Sequence, residues 1–354
     1  MIAIMDSNQP KISIVITCYN YEKYIETSIE SVLNQDYANK ELIVVDDVSS
    51  DSSRDIISRY GDRLVAVFHE RNKGHGGAFN SGFAASSGEL VIFLDADDYL
   101  QPGALDIAAA NLSTDCAIYM YHMDLVDAEG KAYDVFPKYE APFDTVKAKD
   151  KLLHCGRYQS TVTSGLVFSR SFLNQVMPMD EHAFRQGGDG YLVTLAPLYG
   201  SVHGFDDKLS AYRQHGDNHS GFNQLLLKRA EWCIEHDKQR YLALVFHAEQ
   251  MGHLLSIDKI AQNDLLHLEQ RMCQLLFSDN TDNRPTLRTF IANNAIKAMN
   301  HTNLSPANIV LIKAWWFLLK MLPKLYAKKI FAWRMLPSSR PLFLKKLAKL
   351  LRRI

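Results

Sequence analysis

The first hundred residues alternate between two hydrophobic periods. Ile12 to Cys18 (ISIVITC) is a short β-branched run, which predicts a buried strand, and Tyr24 to Asn34 carries apolar residues at 25, 29, 32 and 33, the spacing of one helix face. The same alternation predicts a strand over Glu41 to Asp46, a helix over Ser52 to Tyr60 with Ser52 and Asp55 spaced as a capping box, a strand over Leu64 to Phe68, a helix over Gly77 to Ser86 and a strand over Leu90 to Leu94. Strands alternating with helices in this way predict an α/β domain on a mainly parallel, Rossmann-like sheet with helices on both faces. Ligands bind such sheets beyond the carboxyl ends of the strands, so the residues just after each strand are the first candidates for chemistry.

A helix from Pro102 to about Asn111 and a strand from Ala117 to Tyr121 extend the pattern, and residues 127 to 165, with weak periodicity, read as irregular. Residues 223 to 280 and 304 to 354 read as helices, the second group punctuated by Pro306, Pro323, Pro337 and Pro341. The shift near Phe222 predicts a domain boundary, with 1–222 as the α/β domain and 223–354 as a mainly helical region. At 354 residues, 47% apolar and 22% charged, the chain is long enough for two folded domains and too hydrophobic for a disordered class.

Charge changes this picture. The formal net charge of -1 points to no nucleic-acid partner, yet it hides a division: residues 283 to 354 hold 15 Lys+Arg and no Asp+Glu, leaving 24 basic against 40 acidic residues before them. The five cysteines, at 18, 116, 155, 233 and 273, form neither paired spacing nor a zinc pattern, which predicts a reducing, cytoplasmic setting. The N-terminal residues do not read as a secretory signal. The longest weakly charged apolar run, Ile309 to Leu322, contains Lys313 and Lys320 and is too short to span a bilayer.

Three polar clusters fall at the predicted strand ends: Thr17-Cys18-Tyr19-Asn20, Asp46-Asp47 and Asp95-Ala96-Asp97-Asp98. A single acidic strand end serves equally as a turn or helix cap. Three carboxylates within four residues repel one another unless a cation neutralises them, and hard oxygen ligands suit Mg²⁺ or Mn²⁺, which fill their remaining positions with water and phosphate oxygens.

The stretch ISIVITCYNYEKYIETSIESVLNQDYANKELIVVDDVSSDSS, followed by NKGHGGAFNSGFAASSGELVIFLDADD, resembles the inverting glycosyltransferases of family 2, whose fold is GT-A. The resemblance implies a nucleotide-binding half over about 11–122 and an acceptor half over about 123–222. Asp95-Ala96-Asp97 is similar to the family's DxD motif, with Asp97 as metal ligand, Asp98 as a second candidate ligand, and Asp95 and Asp97 at the nucleotide sugar. Thr17, Tyr19 and Asp47 match positions that hold the nucleotide base. Asp189, in Gly187-Gly188-Asp189-Gly190, is similar to the general base. Tyr212-Arg213-Gln214-His215, with Ser220, is similar to a YRxH…S segment, which places Arg213 or His215 at the diphosphate or its metal. Three departures stand out: Val48 where the family usually has Gly, Phe79 for a frequent Arg, and Gly188 for a common Glu.

The resemblance implies transfer of one sugar per encounter, without processivity, from a nucleotide sugar, most simply a UDP-sugar, to a glycan or lipid-linked acceptor in cell-surface polysaccharide assembly. Inversion and a divalent cation, Mn²⁺ or Mg²⁺, are implied with it. The alternative is a scaffold that keeps the fold without the chemistry. Residues 337–354, ending PLFLKKLAKLLRRI, form a basic amphipathic pattern suited to an anionic membrane on its cytoplasmic face, or to packing on the acidic body.

Overall fold

The computed structural model describes residues 9–138, 143–216, 226–278, 285–302, 304–336 and 339–341. The expected boundary near Phe222 and, apart from Ser339 to Pro341, the basic tail 337–354 lie outside the described residues, as does Ser220. The elements run β1 (Ile12–Cys18), α1 (Ile25–Leu33), β2 (Lys40–Asp46), α2 (Ser53–Ser58), β3 (Val65–Phe68), α3 (Gly74–Ala85), β4 (Leu90–Asp95), β5 (Tyr99–Leu100), α4 (Ala104–Ala110), β6 (Cys116–Val126) and β7 (Ala132–Phe136). They continue with α5 (Ala148–Cys155), β8 (Leu166–Ser169), α6 (Arg170–Val176), α7 (Gly188–Tyr199), β9 (Ser201–Arg213), α8 (Leu226–Gln250), α9 (Ile257–Asn263), α10 (Leu265–Phe277), α11 (Pro285–Ala298), α12 (Pro306–Met321) and α13 (Lys324–Met335).

The described residues fall into two compact units. One spans the chain up to Leu153, Arg157–Asn218 and Gln239–Leu254; the other comprises His154–Gly156, His219–Lys238 and Leu255 onwards. In the first, the sheet has the order β3-β2-β1-β4-β8-β6-β9-β5, with β7 paired to β6. The half built from β3, β2, β1 and β4 is wholly parallel, as the alternation of strand and helix requires. Beyond it the sheet is mixed: β8 lies antiparallel between β4 and β6, while β9 runs parallel to β6. Every residue of β1 is buried, the polar Ser13 and Thr17 included, as expected of a central strand covered on both faces.

Two local expectations are corrected. Ser52 precedes α2 but its side chain makes no capping bond; its amide instead donates to Glu22 Oε2, tying the loop to the one after β1. Residues 127–165 are not irregular throughout, since they contain β7 and α5. Strand β7 is an edge strand with its first residues exposed, and α5 buries only Ala148 and Leu152, so neither imprints a period on the sequence.

The second unit is helical. Its core joins Leu268, Met272 and Leu276 of α10 and Ala292 and Ala295 of α11 to Trp316 and Leu319 of α12 and Ala327 and Phe331 of α13. No helix among the described residues is long and apolar enough to cross a membrane. The five cysteines are free thiols.

Candidate active site

The parallel register brings the strand ends level. Thr17 stands opposite Val45 on one side and Asp95 on the other, and Cys18 stands opposite Asp46. The chain crosses between them through Asp47 N–H to the Cys18 carbonyl at 2.9 Å and Ala96 N–H to the Thr17 carbonyl at 3.2 Å. Thr17 is nearly buried at this edge, whereas the Tyr19 ring is half exposed. The loops after β1 and β2 are laced together by Asn20, whose Oδ1 accepts from Ser50 N–H at 2.7 Å. Val48 adopts φ +67°, a left-handed conformation that is strained for a β-branched residue and explains why glycine is common at this place.

Asp47 organises the next helix. Its Oδ1 accepts from Lys73 N–H at 2.7 Å and faces His69 Nδ1 at 2.7 Å, and its Oδ2 accepts from Gly74 N–H at 2.7 Å. A carboxylate at the start of α3 meets unpaired amides and the positive end of the helix dipole. Burial alone would raise its pKa, but His69 and the two amides outweigh that and hold it below the ordinary carboxylate value. One acceptor position on Oδ2 remains uncommitted by these bonds.

Glycines bring the catalytic candidate to this edge. Gly74 takes φ +76°, and the amides of His75 and Gly76 donate to the Arg185 and Phe184 carbonyls at 2.7 and 3.0 Å. A Cβ on Gly76 would lie 2.6 Å from the Phe184 oxygen, and a Cβ on Gly188 would lie 3.2 Å from Gly76 Cα. The N-termini of α3 and α7 thus meet backbone to backbone, and the Gly at 188 in place of Glu follows from that contact. Asp189 sits in the first turn of α7, and its charge acts on both His75 and Asp95.

His75 joins the two sides. Its Nδ1 accepts from Gly188 N–H at 3.2 Å, and its Nε2 lies 3.3 Å from Asp95 Oδ1, an ion-pair contact without hydrogen-bond geometry. Burial would lower the His75 pKa, but Asp95, with Asp189 and Asp97 behind it, raises it. The ring packs edge-on against Phe79 at 4.3 Å, which itself stacks on Phe93 at 3.9 Å, so the Phe at 79 belongs to the core under the site. Neither His69 nor His75 stood out in the sequence as a site residue. The available signal was a histidine inside the glycine run that opens α3.

The DADD turn is held from β9. Arg213 N–H donates to Asp98 Oδ1, its Nε to the Asp97 carbonyl and its Nη1 to the Ala128 carbonyl, each at 2.8 Å. Its guanidinium lies 5.0 Å from the Tyr24 ring centre and 5.4 Å from that of Tyr99. Asp98 is 1% exposed and its Oδ2 has no hydrogen-bond partner. Burial, then the charges of Asp97 and Asp95, raise its pKa well above the usual range. Asp97 and His215 come together, Oδ2 to Nε2 at 3.0 Å, with the His215 ring 4.8 Å from that of Tyr24.

This donor set fits a divalent cation that draws most of its ligands from elsewhere. One carboxylate and one imidazole converge, which leaves positions for diphosphate and water oxygens. Among the described residues no group of three or more His, Cys, Asp or Glu could hold a metal unaided. The structure brings Asp97 and His215 to a common point and leaves Asp98 buried against the β9 backbone.

The acidic turn Asp95-Ala96-Asp97-Asp98 at the edge of a sheet that is parallel in its first half, followed by a helical region, marks a GT-A-type α/β fold. S. aureus TarS 1–349 in complex with UDP has the same fold, with a TM-score of 0.56 at 18% identity over 92% of this chain and 91% of that one. Residues 13–169 match the family model for "Glycosyl transferase family 2", so this part of the chain is a domain of that family. An uncharacterised glycosyltransferase of Nostoc sp. is 36% identical over 214 residues, 59% of this chain and 66% of the relative. The Escherichia coli UDP-Glc:alpha-D-GlcNAc-diphosphoundecaprenol beta-1,3-glucosyltransferase WfgD is 38% identical over 111 residues, 31% of this chain and 44% of its own length. The chain therefore spans less than two thirds of these relatives.

Proposed function

We propose that this family 2 glycosyltransferase moves a single sugar from a UDP-sugar to a hydroxyl of a glycan or lipid-linked acceptor in polysaccharide assembly, with inversion at the anomeric carbon. The observation that carries the reading is the meeting of Asp97 and His215 at 3.0 Å on the strand edge that also bears Asp47 and half-exposed Tyr19, with Asp189 facing it from the start of α7. The relative WfgD, which uses UDP-Glc and a diphosphoundecaprenol-linked acceptor, supports this choice of substrate class. Five free thiols fit a reducing compartment such as the cytoplasm.

In this reaction the acceptor oxygen forms a bond to the anomeric carbon while the bond to the departing diphosphate oxygen breaks. Asp189 takes the acceptor's proton, a role worth about 10² to 10⁴ in rate. Tyr19 offers a ring for the base to stack on, Thr17 lines the floor of the edge, and Asp47 accepts from the base through its remaining lone pair. Asp97 and His215 would hold a divalent cation, Mn²⁺ or Mg²⁺, which when bound neutralises charge gathering on the diphosphate. Asp95, paired with His75, sits between these groups and Asp189.

Two substitutions test the reading. Asp97→Asn is expected to remove Mn²⁺-dependent UDP binding in calorimetry, and unchanged affinity would refute the metal assignment. Asp189→Asn is expected to keep UDP affinity and lose at least about a hundredfold in turnover. Retention of the parental rate would move the base elsewhere, and a product of retained configuration by NMR would reject inversion.

A further inference from the structure

We propose that the outer face of α12 is a docking surface for an anionic lipid membrane. Helix α12 is apolar on two opposite faces. Trp316 and Leu319 are fully buried in the core of the helical unit. On the other side Val310 is 66% exposed, Leu311 62%, Phe317 53%, Leu318 42% and Met321 60%, with Ala314 exposed between them. Their spacing repeats every three to four residues, so they form one continuous stripe covering an arc of about 120° along the helix. Apolar side chains exposed singly are ordinary, but a helix-long stripe marks a partner.

Charge selects that partner. From 283 to 354 the chain has 15 basic residues and no acidic one. Lys313 and Lys320 border the stripe, and their Nζ contacts are neutral amides, Asn300 Oδ1 at 2.7 Å and Asn293 Oδ1 at 3.0 Å, which leave the positive charge uncancelled. Lys324, Lys328 and Lys329 follow in α13. A second copy of this surface, or the chain's own basic tail, would bring like charges together over the stripe. An anionic bilayer removes the apolar groups from water and attracts the lysines, each basic residue near the surface strengthening binding about fivefold. The surface requires nothing of the transfer chemistry, although it suits the lipid-linked acceptor proposed above.

The test is sedimentation of the full chain with vesicles of equal parts phosphatidylglycerol and phosphatidylcholine, and with phosphatidylcholine alone. Binding is expected on the anionic vesicles and weakened by salt. Leu311→Gln with Phe317→Gln should reduce partition by about a hundredfold, and Lys313→Gln with Lys320→Gln by about tenfold or more. Because all four side chains lie on the outer face or its border, unfolding temperature and transfer to a water-soluble acceptor should be unchanged. Unaltered partition of the apolar pair overturns the proposal. So does a wild-type dimer in light scattering that this pair dissociates without any vesicle binding, or a loss of binding on removal of residues 342–354 alone. Stripe-dependent vesicle binding by a chain that transfers no sugar would reject the enzymatic reading and leave the docking surface standing.

Discussion

Arg213 separates two mechanisms that the sequence could not distinguish. If its guanidinium meets the diphosphate, its worth lies in charge, and Arg213→Lys should retain much of the donor affinity. The geometry assigns it a different task, because Nε and Nη1 are spent on the carbonyls of Asp97 and Ala128 and the group lies between Tyr24 and Tyr99. Each charge-assisted hydrogen bond is worth about 1.5–3 kcal/mol, and each carbonyl left buried without a donor costs a comparable amount. Stacking on the rings adds about 0.5–2 kcal/mol. These terms overlap, so Arg213→Ala is expected to destabilise the domain by about 3–5 kcal/mol. Lysine can reach one carbonyl but lacks the fork for two, which predicts a loss of about 1.5–3 kcal/mol for Arg213→Lys. Urea unfolding followed by far-UV circular dichroism and by the near-UV tyrosine signal gives the stability change, and UDP calorimetry under folding conditions gives the affinity. A variant as stable as the parent but unable to bind UDP would refute the clamp and restore the phosphate contact.

His75→Phe keeps the ring contact with Phe79 but removes both the acceptor for Gly188 N–H and the partner of Asp95. It is expected to cut kcat by about tenfold or more with little change in UDP affinity, and an unchanged kcat would deny the residue its positioning role. Gly188→Ala should cost about 1–3 kcal/mol by forcing α7 away from Gly76, measured by thermal unfolding; neutral behaviour would show that the helices part easily. Glu41 accepts from Ser13 Oγ at 2.6 Å and Ser87 N–H at 2.5 Å and pairs with Lys11 at 2.6 Å. Burial works against it, but these partners lower its pKa from 4.5 to about 2. Its contribution is therefore complete above pH 4.5 and lost as pH falls towards 2, amounting to about 1–2 kcal/mol after solvent screening. Unfolding of Glu41→Gln between those pH values should lack that slope, and parallel curves would reject the assignment.

The elements that the sequence disclosed are those whose burial is uniform. β1 is buried at every position and α1 buries Ile25, Ser28, Ile29 and Val32, so each carries its own period. Helix α3 begins at Gly74, three residues before its expected start, because glycine has a poor intrinsic preference for helix and its amides there are satisfied by carbonyls from a segment more than a hundred residues away. No local rule contains that partner. β8, with four residues, is set antiparallel by its neighbours β4 and β6, a tertiary choice that a parallel pattern in the first half cannot foretell.

The site divides along the same line. Asp47, Asp95 and Asp97 were legible because they follow strands, and the strand end is where such a sheet exposes chemistry. What the acids touch was not legible. Asp98 is adjacent to Asp97 and of the same type, yet its carboxylate takes the Arg213 amide while that of Asp97 meets His215, a difference created by where β9 ends. The same strand fixes the role of Arg213, since its backbone is bound to Asp98 and its fork reaches back to the Asp97 carbonyl. Across the edge, His75 does for α7 what Arg213 does for the acidic turn: a side chain from a distant segment holds the backbone beside the carboxylate, at Gly188 next to Asp189 and at Asp97 itself. Arg213 places its positive charge behind the acidic turn, which offsets repulsion among the carboxylates of Asp95, Asp97 and Asp98 before any ligand arrives. That offset is the physical reason a turn with three carboxylates can fold as it does, and it ties the stability of the turn to the same residue that orients it.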